Sequence, residues 1–136
     1  MFELVHEFAV LGTAFFMMAL ATVWYSPMLF GRAWMRETGI SQEDVDAMQP
    51  QMWKHILLTF ISYAAMLTML AYVVVYAPIL GFVVWKTAIA IAFFVAMAAV
   101  APTLFEGRSA TYYFIRVGFY AVFIVVGTLM LQYWPW

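Results

Sequence analysis

The chain has 136 residues, of which 68% are hydrophobic and only 10% charged, whereas a soluble domain is about half apolar and about a quarter charged. This composition excludes an ordinary water-soluble domain and indicates a protein of the lipid bilayer. The net charge of -1 gives no indication of nucleic-acid binding, and a chain without cysteine has no disulfide, thiol redox centre or cysteine-ligated cluster.

Four stretches without a charged residue set the organisation of the chain: 8–31, 55–85, 87–105 and 117–136. Each can cross a hydrocarbon core of roughly 30 Å, which takes about 20 helical residues. Strands of a membrane barrel would alternate polar and apolar residues, and these stretches are apolar on every side. We therefore predict an all-α fold, an integral membrane four-helix bundle that forms a single transmembrane domain over residues 1–136.

The first membrane helix is predicted at about 4–26. Its residues 19–21 resemble a signal cleavage site, but a secretory signal has a basic start, and this start carries Glu3 and Glu7 with no Lys or Arg. His6 lies at helical spacing from Glu3 and next to Glu7, so it could bind a metal with either carboxylate. Two or three candidate ligands at a chain terminus are weak evidence for a metal site, so we predict solvated polar residues and no bound metal.

An aromatic motif follows the first helix. Trp24 and Tyr25 lie at the predicted membrane interface, where amphipathic rings keep a polar edge in water and an apolar body in lipid. We interpret this segment as an interface anchor, rather than a ligand site, that turns the chain along the membrane surface. Its residues are Trp24, Tyr25, Pro27, Phe30, Gly31 and Trp34.

A short amphipathic surface helix is predicted at about 41–49, between the first and second membrane helices. Ser41 can cap it, and Asp44 sits three residues later, as in a capping box. Ile40 and Val45 have the spacing of a hydrophobic staple.

The other membrane helices are predicted at about 51–76, 82–101 and 111–133. Proline suits a first helical turn and cannot continue a helix beyond its end. On this ground three prolines mark the ends of the second and third membrane helices: Pro50, Pro78 and Pro102.

Small residues recur at helical spacing along these helices. Lipid offers membrane helices no hydrophobic incentive to associate, so close approach of their backbones must supply the attraction. The small residues are Ala88, Ala92, Ala96 and Ala99 on the third helix, Gly118 and Ala121 on the fourth, and Ser62, Ala65 and Thr68 on the second. They could serve contacts within one bundle or a dedicated dimer face, and we favour the first.

Basic residues in the short connections predict the orientation of the chain. Five of them fall on one side of the membrane, against Lys86 alone on the other: Arg32, Arg36, Lys54, Arg108 and Arg116. We therefore predict that the two basic connections are cytoplasmic and that both termini lie outside.

Glu106 is the only acidic residue in the connection before the fourth membrane helix. An isolated carboxylate near lipid is costly, so it should find a cationic partner. We predict a partly buried ion pair, with a solvated side chain in a tight turn as the alternative. The candidate partners are Arg108, Arg116, Arg32 and Arg36.

The run Trp24-Tyr25-Ser26-Pro27, followed by Phe30-Gly31 and Trp34, resembles a family of small bacterial membrane proteins catalogued as domain of unknown function 1761. A second match is Phe105-Glu106-Gly107-Arg108-Ser109, with Gly118 beyond it. Arg116 and Phe119 depart from the uncharged amide and the tyrosine that the family usually carries there. The resemblance spans nearly the whole chain. It implies four helices and a bacterial inner membrane, and it implies no activity.

No nucleophile with a base, no phosphate loop and no paired carboxylate lies at depth in the apolar stretches, so we expect neither an enzyme nor a cofactor. Two function classes remain: a non-catalytic packing or accessory subunit, held against another copy or a larger membrane complex, and a small oligomeric transporter or channel for a small solute. We favour the first. Four-helix multidrug exporters place an acidic residue deep in their first helix, where this chain has Phe15, Phe16 and Met17.

Overall fold

A computed structural model describes residues 7–135. They form no strand and seven α-helices: α1 (Glu7–Trp24), α2 (Gly31–Thr38), α3 (Gln42–Ala47), α4 (Met52–Ile79), α5 (Val84–Ala98), α6 (Val100–Phe105) and α7 (Ala110–Gln132). A 3-10 turn at Gln49–Gln51 leads into α4. Four segments are long and apolar enough to cross a membrane: Glu7–Trp24, Gln49–Ile79, Val84–Phe105 and Ala110–Gln132. The predicted all-α fold with four membrane helices and a short helix between the first two is confirmed.

The second membrane helix runs through Pro78, which contradicts the prediction that this proline ends it. Pro78 lies one residue before the last residue of α4, Ile79. In the last turn a proline removes a single backbone hydrogen bond, and the helix above it stays intact. The chain reverses after Gly81, whose φ of 82° is left-handed, and the Phe82 amide then donates to the Ala77 carbonyl at 2.7 Å.

Pro102 interrupts the third span and does not end it, which corrects the second proline prediction. α5 breaks at Ala99, and the chain continues as α6 with Pro102 in the first turn, where its missing N–H needs no partner. The hydroxyl and the amide of Thr103 both donate to the Ala99 carbonyl, at 2.7 and 3.3 Å. These bonds hold the two helical pieces together as one membrane-length segment.

The connection between α1 and α4 holds two helices, whereas the sequence predicted one. α2 occupies the second half of the aromatic motif, and it ends at Gly39, whose φ of 73° is left-handed. α3 begins with the predicted capping box, which is confirmed. The Ser41 hydroxyl accepts from the Asp44 amide at 3.2 Å, and the Asp44 carboxylate accepts from the Ser41 amide at 2.8 Å.

α7 is the central helix of the bundle. In its most apolar window 44% of the residues are buried, against 6% for the α5–α6 span, so the other helices surround α7 and α5 lies at the periphery. α1, α2, α4 and α5 all pack against α7, and its contact with α5 is the most extensive. The largest fully buried side chains come from three of the four spans: Met17, Leu67, Phe119, Phe123 and Leu131.

Small residues of the third and fourth spans face the interior. Ala88 is buried, Ala92, Ala96, Ala99 and Ala121 are partly buried, and the Tyr113 hydroxyl donates to the Ala96 carbonyl at 2.6 Å. Gly118 accommodates the Trp24 ring, which lies 3.3 Å from where a Cβ would stand. On α4 the pattern differs, since Ser62 and Ala65 are exposed and Thr68 is only partly buried. The stripes on α5 and α7 therefore serve the bundle itself, whereas the α4 stripe turns largely outward.

Candidate functional site

The first aromatic ring of the motif is fixed to the central helix. The Trp24 Nε1 donates to the Ile115 carbonyl of α7 at 3.0 Å. The Trp24 ring also packs on Phe30, with 4.7 Å between ring centroids, and on Phe119, with 6.1 Å. The indole N–H, which the anchor interpretation places in water, is therefore bonded within the bundle.

The turn between α1 and α2 closes tightly on itself. The amides of Phe30 and Gly31 donate to the carbonyls of Trp24 and Ser26, at 3.1 and 2.9 Å. A Cβ on Gly31 would stand 2.3 Å from the Tyr25 carbonyl oxygen. Only glycine fits here, because the obstacle is backbone and cannot rotate away. The turn therefore requires Gly31 for space.

The remaining motif residues line a cleft. Tyr25 packs edge-on against Trp34 and at a tilt against Phe119, with 5.8 Å between the ring centroids in each pair. Both Tyr25 and Trp34 border this cleft, as does the exposed Pro27. The motif thus joins α1 to α7 on one side and forms a cleft wall on the other, which the sequence did not indicate.

The cleft, which we call the interfacial cleft, has a volume of about 970 Å³. It lies between α4 and α7, with residues of the 25–45 connection closing one end. Its lining is mostly apolar and aromatic, with several hydroxyl groups and one charge: Tyr25, Pro27, Trp34, Met35, Gln42, Val45, Met52, Leu58, Thr59, Ser62, Tyr63, Tyr112, Arg116, Phe119 and Tyr120. Its size and mixed lining are those of a small-molecule site.

Three residues of α7 at four-residue spacing, Tyr112, Arg116 and Tyr120, line the interfacial cleft and also a second cavity. The second cavity has a volume of about 360 Å³ and lies between α7 and the α5–α6 span, where Pro102 and Glu106 border it. Because residues four apart share one helix face, this row of three residues forms a common wall of both spaces. The spacing is visible in the sequence and is the signal that could have identified the site.

Arg116 pairs with a neutral group. Its Nη1 donates to the Tyr112 hydroxyl at 2.7 Å, and its guanidinium lies 6.0 Å from the centroid of the Tyr112 ring. Arg108 lies over the same ring, at 5.3 Å. The side chain of Arg116 remains exposed.

The predicted ion pair of Glu106 is absent from the described part of the chain. Glu106 is the exposed C-cap of α6, and the left-handed Gly107 turns the chain away after it. Arg108 and Arg116 face Tyr112 instead, and the other two candidates, Arg32 and Arg36, are exposed on α2. Glu106 is thus an exposed residue beside a tight turn.

Glu37 supplies the carboxylate contact to the last helix. The Ser109 hydroxyl, at the N-cap of α7, donates to Glu37 Oε2 of α2 and accepts from the Tyr112 amide at 3.1 Å. The sequence did not predict this hydrogen bond between α2 and α7, because α2 was not predicted as a helix.

No group of three metal-ligating His, Cys, Asp or Glu side chains occurs within residues 7–135. Of the N-terminal polar residues, Glu7 is exposed at the start of α1, whereas Glu3 and His6 lie outside the described residues.

Comparison with known proteins places the chain in a family. No curated protein and no solved structure matches it. The family model described as "Protein of unknown function (DUF1761)" matches residues 8–132, which include all four membrane-length helices except the first residue of α1. The chain therefore belongs to the DUF1761 family of proteins of unknown function.

Proposed function

We propose that this multi-pass membrane protein is a non-catalytic packing or accessory subunit that associates with another copy of itself or with a larger membrane complex. One observation carries the proposal: Ser62 and Ala65, two small residues three positions apart on α4, are exposed on the surface of the bundle. Small residues allow close backbone approach between membrane helices. A second helix could therefore pack there.

Purification in mild detergent with mass determination tests this proposal. A stable complex heavier than the 15.6 kDa chain supports it, and a lone monomer contradicts it. Ala65→Leu should weaken such an assembly, because it removes the close approach. Ala101→Leu is the matched control on the exposed surface of α6 and should leave the assembly unchanged.

The proposed location is a bacterial inner membrane, with both termini outside. The distribution of basic residues supports it: α2 carries Arg32 and Arg36, and the turn before α7 carries Arg108, at the proposed cytoplasmic end. Reporter fusions after Trp136 and within the connection at Gly107 provide the test. A fusion after Trp136 that is active only in the cytoplasm contradicts the proposed orientation.

We propose a non-catalytic role, and the side chains that line the interfacial cleft support this part of the proposal. Its lining includes hydroxyl groups and Arg116, but no carboxylate and no histidine among the described residues, so its hydroxyl groups have no base beside them. A hydrolytic or group-transfer activity of the purified protein against a broad substrate panel would contradict this part.

A small oligomeric transporter is the second candidate function. Its specific support is the interfacial cleft, which extends from the 25–45 connection to Phe119 and Tyr120 near the middle of α7 and exposes Arg116 on its wall. Flux across reconstituted vesicles is the test. Absence of flux over a broad panel of small solutes, with and without a proton gradient, counts against transport.

A further inference from the structure

The charge of Arg116 has no anionic partner in the residues that the structure describes. A guanidinium has five N–H donors, and the bond to the Tyr112 hydroxyl occupies one of them. Among residues 7–135, Arg116 is the only charged one that lines the interfacial cleft. A cation within a membrane-spanning segment is costly and is normally compensated. The cleft therefore offers a cation with free donors to an anion.

We propose that the interfacial cleft binds an anionic phospholipid from the surrounding bilayer, with the lipid phosphate on Arg116. This inference goes beyond the proposed function and holds for an accessory subunit or a transporter. Arginine suits the role because its planar fork can donate two parallel hydrogen bonds to a phosphate.

The depth of Arg116 fits a lipid headgroup. Arg116 follows the first residue of α7 by six positions, which is about 9 Å along a helix that rises 1.5 Å per residue. This distance places the guanidinium close to the boundary between headgroups and acyl chains, where long basic side chains can reach phosphates. The hydroxyl groups of Tyr63 and Tyr120 line the same space and can donate to the remaining oxygens.

The edge of the cleft favours a lipid over a free anion. Leu58, a cleft-lining residue on α4, is 64% exposed on a membrane-spanning segment and so presents an apolar edge to acyl chains. The cleft wall continues along the partly buried aromatic residues Tyr25 and Tyr120. A diacyl lipid could place its phosphate at Arg116 and its chains along this edge, whereas inorganic phosphate gains nothing from the apolar part of the lining.

Lipid binding to the delipidated full-length chain tests the proposal. Native mass spectrometry in neutral detergent would measure the affinity for dioleoyl phosphatidylglycerol, for the zwitterionic dioleoyl phosphatidylcholine, and competition by inorganic phosphate. We expect preference for phosphatidylglycerol, and a loss of about tenfold to a hundredfold in that affinity for Arg116→Gln, the range of a charged hydrogen bond. Arg116→Lys should keep part of it. The matched control is Arg36→Gln, an exposed cation of α2 that lines neither cavity, and it should stay within about threefold of the wild type.

Three results would overturn the proposal: equal affinity for the two lipids, wild-type affinity in folded Arg116→Gln, or displacement of phosphatidylglycerol by inorganic phosphate at matched concentration, which would indicate a free-anion site. If Arg116→Gln does not fold, Thr59→Trp decides, because it fills the cleft, keeps the cation and leaves Ser62 and Ala65 of the proposed assembly face unchanged. Affinity at least tenfold below wild type in that variant supports the proposal, and a smaller loss overturns it. The masses in the same spectra also show whether the chain assembles, so the accessory-subunit proposal is tested independently of lipid binding.

Discussion

Individual contacts of the aromatic motif connect it to the central helix. Trp24 donates its indole N–H to the Ile115 carbonyl and can thereby position α1 against α7. A tryptophan at the end of a membrane helix is typical of an interface anchor, and its sequence position alone does not distinguish the two roles. The two roles differ in whether the indole N–H bonds to the Ile115 carbonyl, and only folding brings this distant residue close to Trp24.

Trp24→Phe should destabilise the bundle by about 1 kcal/mol, because it removes a hydrogen bond within the membrane protein and keeps most of the ring. Unfolding in a denaturing detergent titration measures this change. Trp85→Phe is the control, since Trp85 is 55% exposed, and we expect a change of at most about 0.5 kcal/mol there. Equal effects of the two substitutions would show that the Ile115 contact adds nothing to stability.

Gly31→Ala should cost about 2 kcal/mol or more, because the added Cβ would stand 2.3 Å from the Tyr25 carbonyl oxygen and the backbone must move. The same unfolding titration provides the measurement. Gly39→Asn is the comparison: Gly39 has a left-handed φ but open space around it, and asparagine tolerates that conformation. Stability of Gly31→Ala at the level of Gly39→Asn would contradict the steric argument.

At the scale of helices and their connections, features formed by neighbouring residues could be predicted from the sequence, whereas features formed by residues far apart in the chain could not. The Ser41–Asp44 capping box could be predicted because both partners lie within four residues. The prolines did not mark the helix ends: Pro102 lies in the first turn of α6, where a proline is tolerated, and α4 continues one residue past Pro78. The interfacial cleft could not be predicted from chain order, because its lining comes from the 25–45 connection, α4 and α7.

The capping box makes α3 sensitive to acid. The Ser41 backbone amide and then its hydroxyl lower the pKa of Asp44 below its ordinary value of 3.8. A carboxylate whose pKa is depressed in the folded state adds stability above its unfolded pKa, and this contribution is lost as the pH falls through the lower folded value. We therefore expect α3 to keep its cap at pH values above 3.8 and to lose it as the pH falls through the lower folded pKa of Asp44.

Ser41→Ala should raise the pKa of Asp44 toward its ordinary value, because it removes the hydroxyl and leaves the backbone amide. Titration of the Asp44 carboxyl by NMR in detergent measures the shift. Ser62→Ala, a hydroxyl deletion on α4 outside the box, should leave that pKa unchanged. An Asp44 pKa that is the same in wild type and Ser41→Ala would mean that the hydroxyl does not contribute.

At the scale of the whole molecule, the asymmetry between a buried α7 and a peripheral α5 predicts where substitutions are tolerated. Gly127→Leu should cost about 3 kcal/mol or more, because even a Cβ on Gly127 would stand 2.9 Å from Leu67 Cδ2 in the core. Ala90→Leu, on the exposed side of α5, should change stability by at most about 0.5 kcal/mol. Detergent unfolding of the two variants tests this ordering, and comparable losses would mean that the α5 face is covered within the monomer.

The mass of the Ala90→Leu variant in mild detergent also shows whether a protein partner packs on α5, which its stability alone does not show. Lipid adapts to a larger apolar side chain, whereas a protein partner packed closely on α5 does not. If the chain assembles through α4 near Ala65, as the proposed function requires, Ala90→Leu should keep both its stability and its assembly. If Ala90→Leu has wild-type stability but does not assemble, the partner binds at α5 and not at α4.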